Sequence, residues 1–177
     1  MLTTIAIGVY AEDYRFTVDP KCDSIVVYDK NDSVVLTYSK QILLLHGNPI
    51  AQTKVGKTVV FSDTLGEIGT VLSNKYTKIQ MPDGSLYKRK FFWKNKVSYK
   101  KDGETYATAR FSFEKKLIDY FAFFPSRNRK TFVEMNIQDT KLIPILFFST
   151  LKHIQMKRDE AEQMAWMSLY SLSHVTR

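Results

Sequence analysis

The chain has 177 residues, 44% of them hydrophobic, which is typical of a single globular domain with its own hydrophobic core. Lysine and arginine number 26 against 18 aspartate and glutamate residues, so the formal net charge is +8. This charge fits nucleic acid, an anionic membrane surface or a phosphate ligand, and it fits equally well a protein whose charge only keeps it in solution. Charge alone does not choose between these classes.

The single cysteine, Cys22, excludes an intramolecular disulfide framework and favours a reducing compartment. The first residues, "MLTTIAIGVYAEDY", have no basic region ahead of the apolar run and no small-residue cleavage site, so we expect no signal peptide. We therefore expect a cytoplasmic protein, with peripheral membrane association as the alternative location.

From the start to about residue 137, apolar and polar residues mostly alternate, the spacing that places side chains on opposite faces of a strand. Three examples are "YRFTV" at 14–18, "TYATARFSF" at 105–113 and "TFVEMNI" at 131–137. The pattern predicts a series of short β-strands.

Turn sequences separate these strands: "DKND" at 29–32, "GNP" at 47–49, "PDG" at 82–84 and "KDG" at 101–103. Asp-Gly favours tight hairpin turns, so 76–81 should pair with 85–93, and 96–100 with 104–111. The spacing predicts about a dozen strands in an all-β sandwich or barrel.

Residues 142–151, "LIPILFFSTL", are apolar on all sides until Ser149 and Thr150. Asp139 or Thr140 can cap a helix here, and Pro144 is tolerated in a first turn. The run is too short for a bilayer, which needs roughly 20 residues, and therefore indicates a buried core helix. A sheet that closes around this helix buries the apolar surface of both and removes the exposed sheet edges.

Residues 156–174 have an amphipathic pattern, with Ala161, Ala165, Leu169 and Leu172 on one stripe. The predicted fold is thus mainly β: a closed β-barrel of about twelve strands around a central hydrophobic C-terminal helix, followed by a second amphipathic helix. We assign residues 1–155 to the barrel with its central helix and 156–177 to a helix packed outside, which offers a surface for a protein partner.

This arrangement resembles the tubby-like superfamily, which includes the tubby proteins, the phospholipid scramblases and the LURP-one-related proteins. The resemblance covers roughly residues 3–155. It rests on the strand order and on four segments: "SDTLGEIGTV", "KIQMPDGSLYKRKFFW", "KVSYKKDGETYATARFSF" and, at the position of the family's central helix, "DTKLIPILFFSTLKHI".

The resemblance implies a twelve-stranded barrel threaded by a helix, in a family known for lipid association and scaffolding rather than catalysis. Tubby domains bind phosphoinositide headgroups through lysine and arginine, but no individual residue is carried over to this chain. Scramblases also have a C-terminal membrane helix and a calcium segment. This sequence matches neither, which argues against scrambling.

Three motifs suggest chemistry but do not meet its requirements. "AQTKVGKT" at 51–58 loosely fits a phosphate loop, yet a strand-like segment follows it where a helix is needed. His46, His153 and His174 have no partner at metal-ligand spacing, and Cys22 lies in a predicted turn. We therefore predict no catalytic residues, no cofactor and no metal site.

The strongest functional pattern is "YKRKFFWKNKVSYKK" at 87–101. Strand alternation places Lys88, Lys90, Phe92 and Lys94 on one face, and Tyr87, Phe91 and Trp93 on the other. Arg127 and Arg129 in "PSRNRK" extend this basic face if the fold brings them near. The structural alternative is an ordinary solvated strand face.

We therefore expect a non-enzymatic binding or scaffold module. The candidate residues for binding an anionic phospholipid headgroup are Lys88, Lys90, Lys94, Arg127 and Arg129. A nucleic-acid-binding module is the first alternative, because the same charge and an exposed aromatic such as Phe92 suit single-stranded bases. The second alternative is an enzyme with an unrecognised site in or at the mouth of the barrel.

Overall fold

A computed structural model describes residues 11–19, 23–72, 76–92, 95–113 and 130–175, without the side chains of 91, 92, 164–166 and 168–175. Twelve strands form a closed barrel in which each strand pairs with its neighbours along the chain and β1 closes onto β12. The strands are β1 Glu12–Val18, β2 Ser24–Asp29, β3 Val34–Ser39, β4 Ile42–Leu45, β5 Asn48–Val55, β6 Thr58–Asp63, β7 Gly66–Leu72, β8 Lys78–Gln80, β9 Leu86–Phe92, β10 Lys96–Lys101, β11 Glu104–Phe113 and β12 Thr131–Ile137.

The two hairpins predicted from Asp-Gly pairs are confirmed. β8 pairs with β9, and β10 with β11, both antiparallel. Asp102 and Gly103 both have positive φ, 50° and 91°, the conformation that a two-residue hairpin turn needs. The turn positions predicted from the Asp-Gly pairs therefore agree with the observed strand pairing.

The helical segment begins as predicted at Asp139, whose side chain accepts a 3.0 Å hydrogen bond from the Lys141 backbone N–H. A short 3₁₀ helix, Thr140–Leu142, leads into a single α-helix, α1, at Ile143–Val175. We expected two helices, but nothing between Leu151 and Ala161 breaks one, because this stretch contains neither glycine nor proline. The amphipathic segment is the continuation of the central helix.

The N-terminal half of α1 fills the barrel. Phe147 packs against Phe16 of β1 and Tyr38 of β3, and Phe148 packs against Phe61 of β6. The opposite wall is reached through Thr150, which hydrogen-bonds Tyr99 of β10. Because strands from several sides contact one helix, the all-apolar segment lies at the centre, as its sequence predicted.

Gly69 on β7 marks a close approach between sheet and helix. A Cβ atom at this position would lie 2.8 Å from the Ile145 Cδ1 atom of α1 and 3.0 Å from the Gln80 carbonyl oxygen. A methyl group here would therefore require the Ile145 side chain to move and β8 to shift slightly.

The helix runs through the barrel from end to end. It begins just after Ile137, at what we call the proximal end, and leaves at the distal end, where Val18 pairs with Thr131. At that end the Arg158 guanidinium donates hydrogen bonds to the Val18 carbonyl oxygen, at 3.2 Å, and to the Thr131 hydroxyl, at 2.7 Å. Contacts with the barrel therefore extend past residue 155, the boundary assigned from sequence.

At about 1.5 Å per residue, the 17 helical residues beyond Arg158 continue for roughly 25 Å. Gln163 and Met167 on this part are exposed. Among the described residues, no helix combines the length and the apolar character needed to span a bilayer.

Candidate functional site: a lysine face on the barrel wall

Lys88 and Lys90 lie on β9 with their side chains exposed on the outside of the barrel, as strand alternation predicted. The buried neighbour Tyr87 points inward, where it contacts Tyr106 edge to face. Lys94, Arg127 and Arg129 lie outside the described residues, so their membership of this face stays a prediction. The same holds for the side chain of Phe92.

Two further lysines join this face through the strand register. Lys88 is the Cα partner of Lys78 on β8 and of Lys100 on β10, so three lysines stand side by side on adjacent strands. With about 4.8 Å between neighbouring strands, the row spans roughly 10 Å. Lys78 is exposed and Lys100 is half-buried. We call Lys78, Lys88, Lys90 and Lys100 the lysine face.

Lys101, next along the chain, is held differently. Its ammonium group donates a 2.8 Å hydrogen bond to the Ser85 hydroxyl. It also lies 5.8 Å from the ring centroid of Tyr87 and 6.0 Å from that of Tyr106. These contacts tie Lys101 to the proximal end of the barrel, and we do not include it in the lysine face.

Arg89, between the two exposed lysines, points into the barrel. Its guanidinium donates a 3.0 Å hydrogen bond to the Ser149 carbonyl oxygen of α1. Burial lowers the pKa of Arg89, and the nearby Tyr99 hydroxyl opposes that shift. Arg89 thus contributes to the interaction between sheet and helix, while its neighbours carry the outer charge.

The other polar groups of the interior are also engaged with the helix. The Tyr99 and Thr150 hydroxyls lie 2.8 Å apart, and the Ser149 hydroxyl donates a 2.7 Å hydrogen bond to the Tyr76 carbonyl oxygen. His153 is 4% exposed and stacks at a tilt near Phe111. Burial, with smaller contributions from Arg89 and Lys157, lowers the pKa of His153 to about 3. Because α1 and these side chains fill the barrel interior, the outer surface is where a ligand site is expected.

A second surface feature is a groove of about 710 Å³ across β1, β2, β11 and β12. Phe132, 43% exposed, forms part of it, together with Tyr28 and the ion pair between Arg15 and Asp32. Glu134 stands between Arg15 and Arg110 in the strand register. With charges of both signs, this groove is less suited to an anion than the lysine face.

The phosphate-loop match and the possible metal ligands of the sequence do not form binding sites among the described residues. Residues 51–58, the loose match to a phosphate loop, form the β5–β6 hairpin, so no helix N-terminus follows to bind phosphate. Across the part of the chain that the structure describes, no three His, Cys, Asp or Glu side chains are grouped to hold a metal ion. Cys22 and the side chain of His174 lie outside the described residues.

Sequence reasoning missed three residues of this region. Alternation places Arg89 on the inward face with Tyr87, so its position could have been predicted from the period-two pattern alone. Lys78 and Lys100 required the cross-strand register, which depends on the turn lengths on both sides of β9.

Comparison of the chain with family models, with curated proteins and with solved structures finds no match.

Proposed function

We propose that this protein is a non-catalytic binding module that binds anionic phospholipid headgroups through the lysine face. The observation that supports it best is the row of Lys78, Lys88 and Lys100 on three adjacent strands. Three lysines at strand spacing allow one anion to interact with more than one ammonium group.

The barrel strands, and not a loop, hold the lysines of this face in position. β9 pairs with β8 on one side and with β10 on the other, which holds the Cα atoms of the row at strand spacing. Each lysine near an anionic lipid surface contributes roughly 1 kcal/mol. Three or four lysines therefore suffice for a weak, salt-sensitive association with a membrane.

The fold agrees with what the tubby-like resemblance implies, a twelve-stranded barrel around a central helix, in a family known for lipid association. Membership of that superfamily stays a hypothesis. The resemblance and the lysine row support a lipid ligand independently, because the lysines of the row are not residues carried over from the tubby proteins.

The test is sedimentation with phosphatidylcholine vesicles that contain a phosphoinositide, compared with vesicles of phosphatidylcholine alone. We expect binding only to the anionic vesicles, and binding that weakens as salt rises. The variant Lys88→Glu/Lys90→Glu should lose at least about 2 kcal/mol of binding free energy, a loss of roughly thirtyfold or more in affinity.

The matched control is Lys30→Glu/Lys141→Glu, which makes the same change in net charge with two exposed lysines at the proximal end. It should bind nearly as the wild type does. Equal losses in both variants would mean that net charge alone drives binding and would overturn the assignment of the face. A salt-sensitive affinity for single-stranded oligonucleotide above that for the vesicles would favour nucleic acid instead.

A further inference from the structure

From β3 to β10 the acidic residues lie at one end of the barrel, whereas lysines occur at both ends. Between Asp32 and Asp102 the sequence contains only three acidic residues, Asp63, Glu67 and Asp83. Asp63 and Glu67 flank the β6–β7 turn, and Asp83 lies in the β8–β9 turn. Because all pairs are antiparallel, both turns lie at the proximal end, opposite the point where α1 leaves the barrel.

The distal end of the same strands carries lysines. Lys40 lies in the β3–β4 turn, Lys54 and Lys57 flank the tip of the β5–β6 hairpin, and Lys78 and Lys96 begin β8 and β10. The sequence places no acidic residue in these distal turns. This end therefore presents a positive potential that an anionic surface would meet first.

The β5–β6 hairpin projects farther than its neighbour on the β4 side. β4 pairs only with Asn48–Ile50 of β5, whereas β5 continues to Val55 and pairs there with β6 alone. All residues from Thr53 to Lys57 are exposed. Beyond Ile50 the β5 strand is thus free of β4 on one side, while β6 stays paired with β7 as far as Thr58.

Exposed aliphatic side chains lie among these lysines. Val55 at the hairpin tip is 58% exposed, and Ile42, the first residue of β4, is 60% exposed. The Gln52 side chain of β5 donates a 3.4 Å hydrogen bond to the Gln41 carbonyl oxygen in the β3–β4 turn, which ties the hairpin to that turn. An aliphatic group flanked by lysines suits a lipid interface, where the apolar part enters and the ammonium groups stay at the phosphates.

We propose that the β5–β6 hairpin tip, with Val55, Lys54 and Lys57, and the adjacent β3–β4 turn, with Ile42 and Lys40, insert shallowly into an anionic lipid surface. The proposal rests on the proposed function and adds the orientation: the distal end of the barrel faces the bilayer. We call these five residues the distal tip.

The distal tip adjoins the lysine face on the side of Lys78, the first residue of β8. In the strand order only β7 lies between the hairpin and β8, where the lysine face begins. The distal half of β7 carries Thr70, Val71 and Leu72 and no charge. A bilayer that approaches the distal end from the β7 side therefore meets lysines on both flanks and no acidic residue of these strands.

The test uses the full chain and the same phosphoinositide vesicles. Ile42→Ser/Val55→Ser removes the aliphatic groups without changing charge and should weaken vesicle binding about tenfold or more, since each buried aliphatic side chain contributes favourably. The matched control is Leu65→Ser, which removes an aliphatic side chain that is 95% exposed in the β6–β7 turn at the opposite end. It should bind as the wild type does.

A second measurement reports the position of the tip directly. In a Cys22→Ser background, a polarity-sensitive fluorophore on Val55→Cys should shift to the blue on anionic vesicles, and the same label on Leu65→Cys should not. If the wild type binds, Lys88→Glu/Lys90→Glu loses binding, and neither the serine variant nor the label at Val55 responds, the lysine face stands and the distal tip is refuted. Absence of vesicle binding by the wild type refutes both.

Discussion

The hydroxyl groups of Tyr99 on β10 and Thr150 on α1 lie 2.8 Å apart in the barrel core, where each side chain is fully buried. Neither group can reach water, so each depends on protein partners for hydrogen bonding. Burial raises the pKa of Tyr99, which keeps its hydroxyl protonated, and Arg89 opposes that shift. The pair therefore joins the helix to the sheet through a neutral hydrogen bond in a largely apolar interior.

A double-mutant cycle should reveal this coupling. Tyr99→Phe and Thr150→Val should each lower the free energy of unfolding by about 1–3 kcal/mol, because each leaves a buried hydroxyl without this partner. The double variant should lose less than the sum, with a coupling energy of about 1 kcal/mol. Urea denaturation of the four proteins measures it, and strict additivity would show that the two hydroxyls do not interact.

The contact of Gly69 with the helix predicts a large effect from one methyl group. Gly69→Ala places a Cβ atom 2.8 Å from the Ile145 Cδ1 atom, and we expect a loss of about 1–3 kcal/mol from overpacking. Ile145→Val removes that Cδ1 atom, so the double variant Gly69→Ala/Ile145→Val should recover part of the loss relative to Gly69→Ala. Thermal denaturation of the series checks this. Unchanged stability of Gly69→Ala would contradict the close approach.

His153 should make the protein less stable in mild acid. Its pKa in the folded state is lowered to about 3, so the buried ring stays neutral while an unfolded histidine takes up a proton near pH 6.5. The stabilisation is complete above pH 6.5 and is lost as the pH falls from there towards 3. Between pH 7 and pH 5 the loss attributable to this residue is about 2 kcal/mol.

His153→Gln provides the control, because it keeps a polar side chain at this position and cannot titrate. The pH dependence of its unfolding free energy between pH 7 and pH 5 should be flatter than that of the wild type by the same amount. Parallel curves for the two proteins would mean that His153 is accessible to protons in the folded state.

The fold was largely readable from local patterns, and the site was not. Alternation and Asp-Gly turns predict the strands, and the apolar run from Leu142 to Leu151 predicts what fills them, because burial of this run leaves few other arrangements. The lysine face depends on long-range register. Lys88 was visible within its own strand, but Lys78 and Lys100 become its neighbours only through two separate hairpins.

The contacts that α1 makes with the barrel past residue 155 also could not be predicted from a local sequence pattern. The change from an apolar to an amphipathic sequence near Gln155 suggested two helices, yet the burial of Arg158 depends on the Val18 carbonyl oxygen and the Thr131 hydroxyl, which come from the two strands that close the barrel. The residue pattern within α1 cannot predict contacts with residues as distant in sequence as Val18 and Thr131.

These contacts change what truncation should do. A chain that ends after Gln155 lacks Arg158, which is 5% exposed and donates hydrogen bonds to both β1 and β12, so it should lose about 2–4 kcal/mol of unfolding free energy. A chain that ends after Gln163 keeps Arg158 and the Lys157–Glu160 ion pair, so it should unfold within about 1 kcal/mol of the full chain.

The full-length variant Arg158→Met separates the contact from the length of the helix. It should reproduce most of the loss seen on truncation after Gln155 if the two hydrogen bonds are responsible, because the Thr131 hydroxyl is fully buried and loses its partner. Urea denaturation followed by the β-sheet circular dichroism signal compares the four chains. Equal stability of the chains ending after Gln155 and after Gln163 would show that Arg158 contributes nothing and would support the boundary at residue 155.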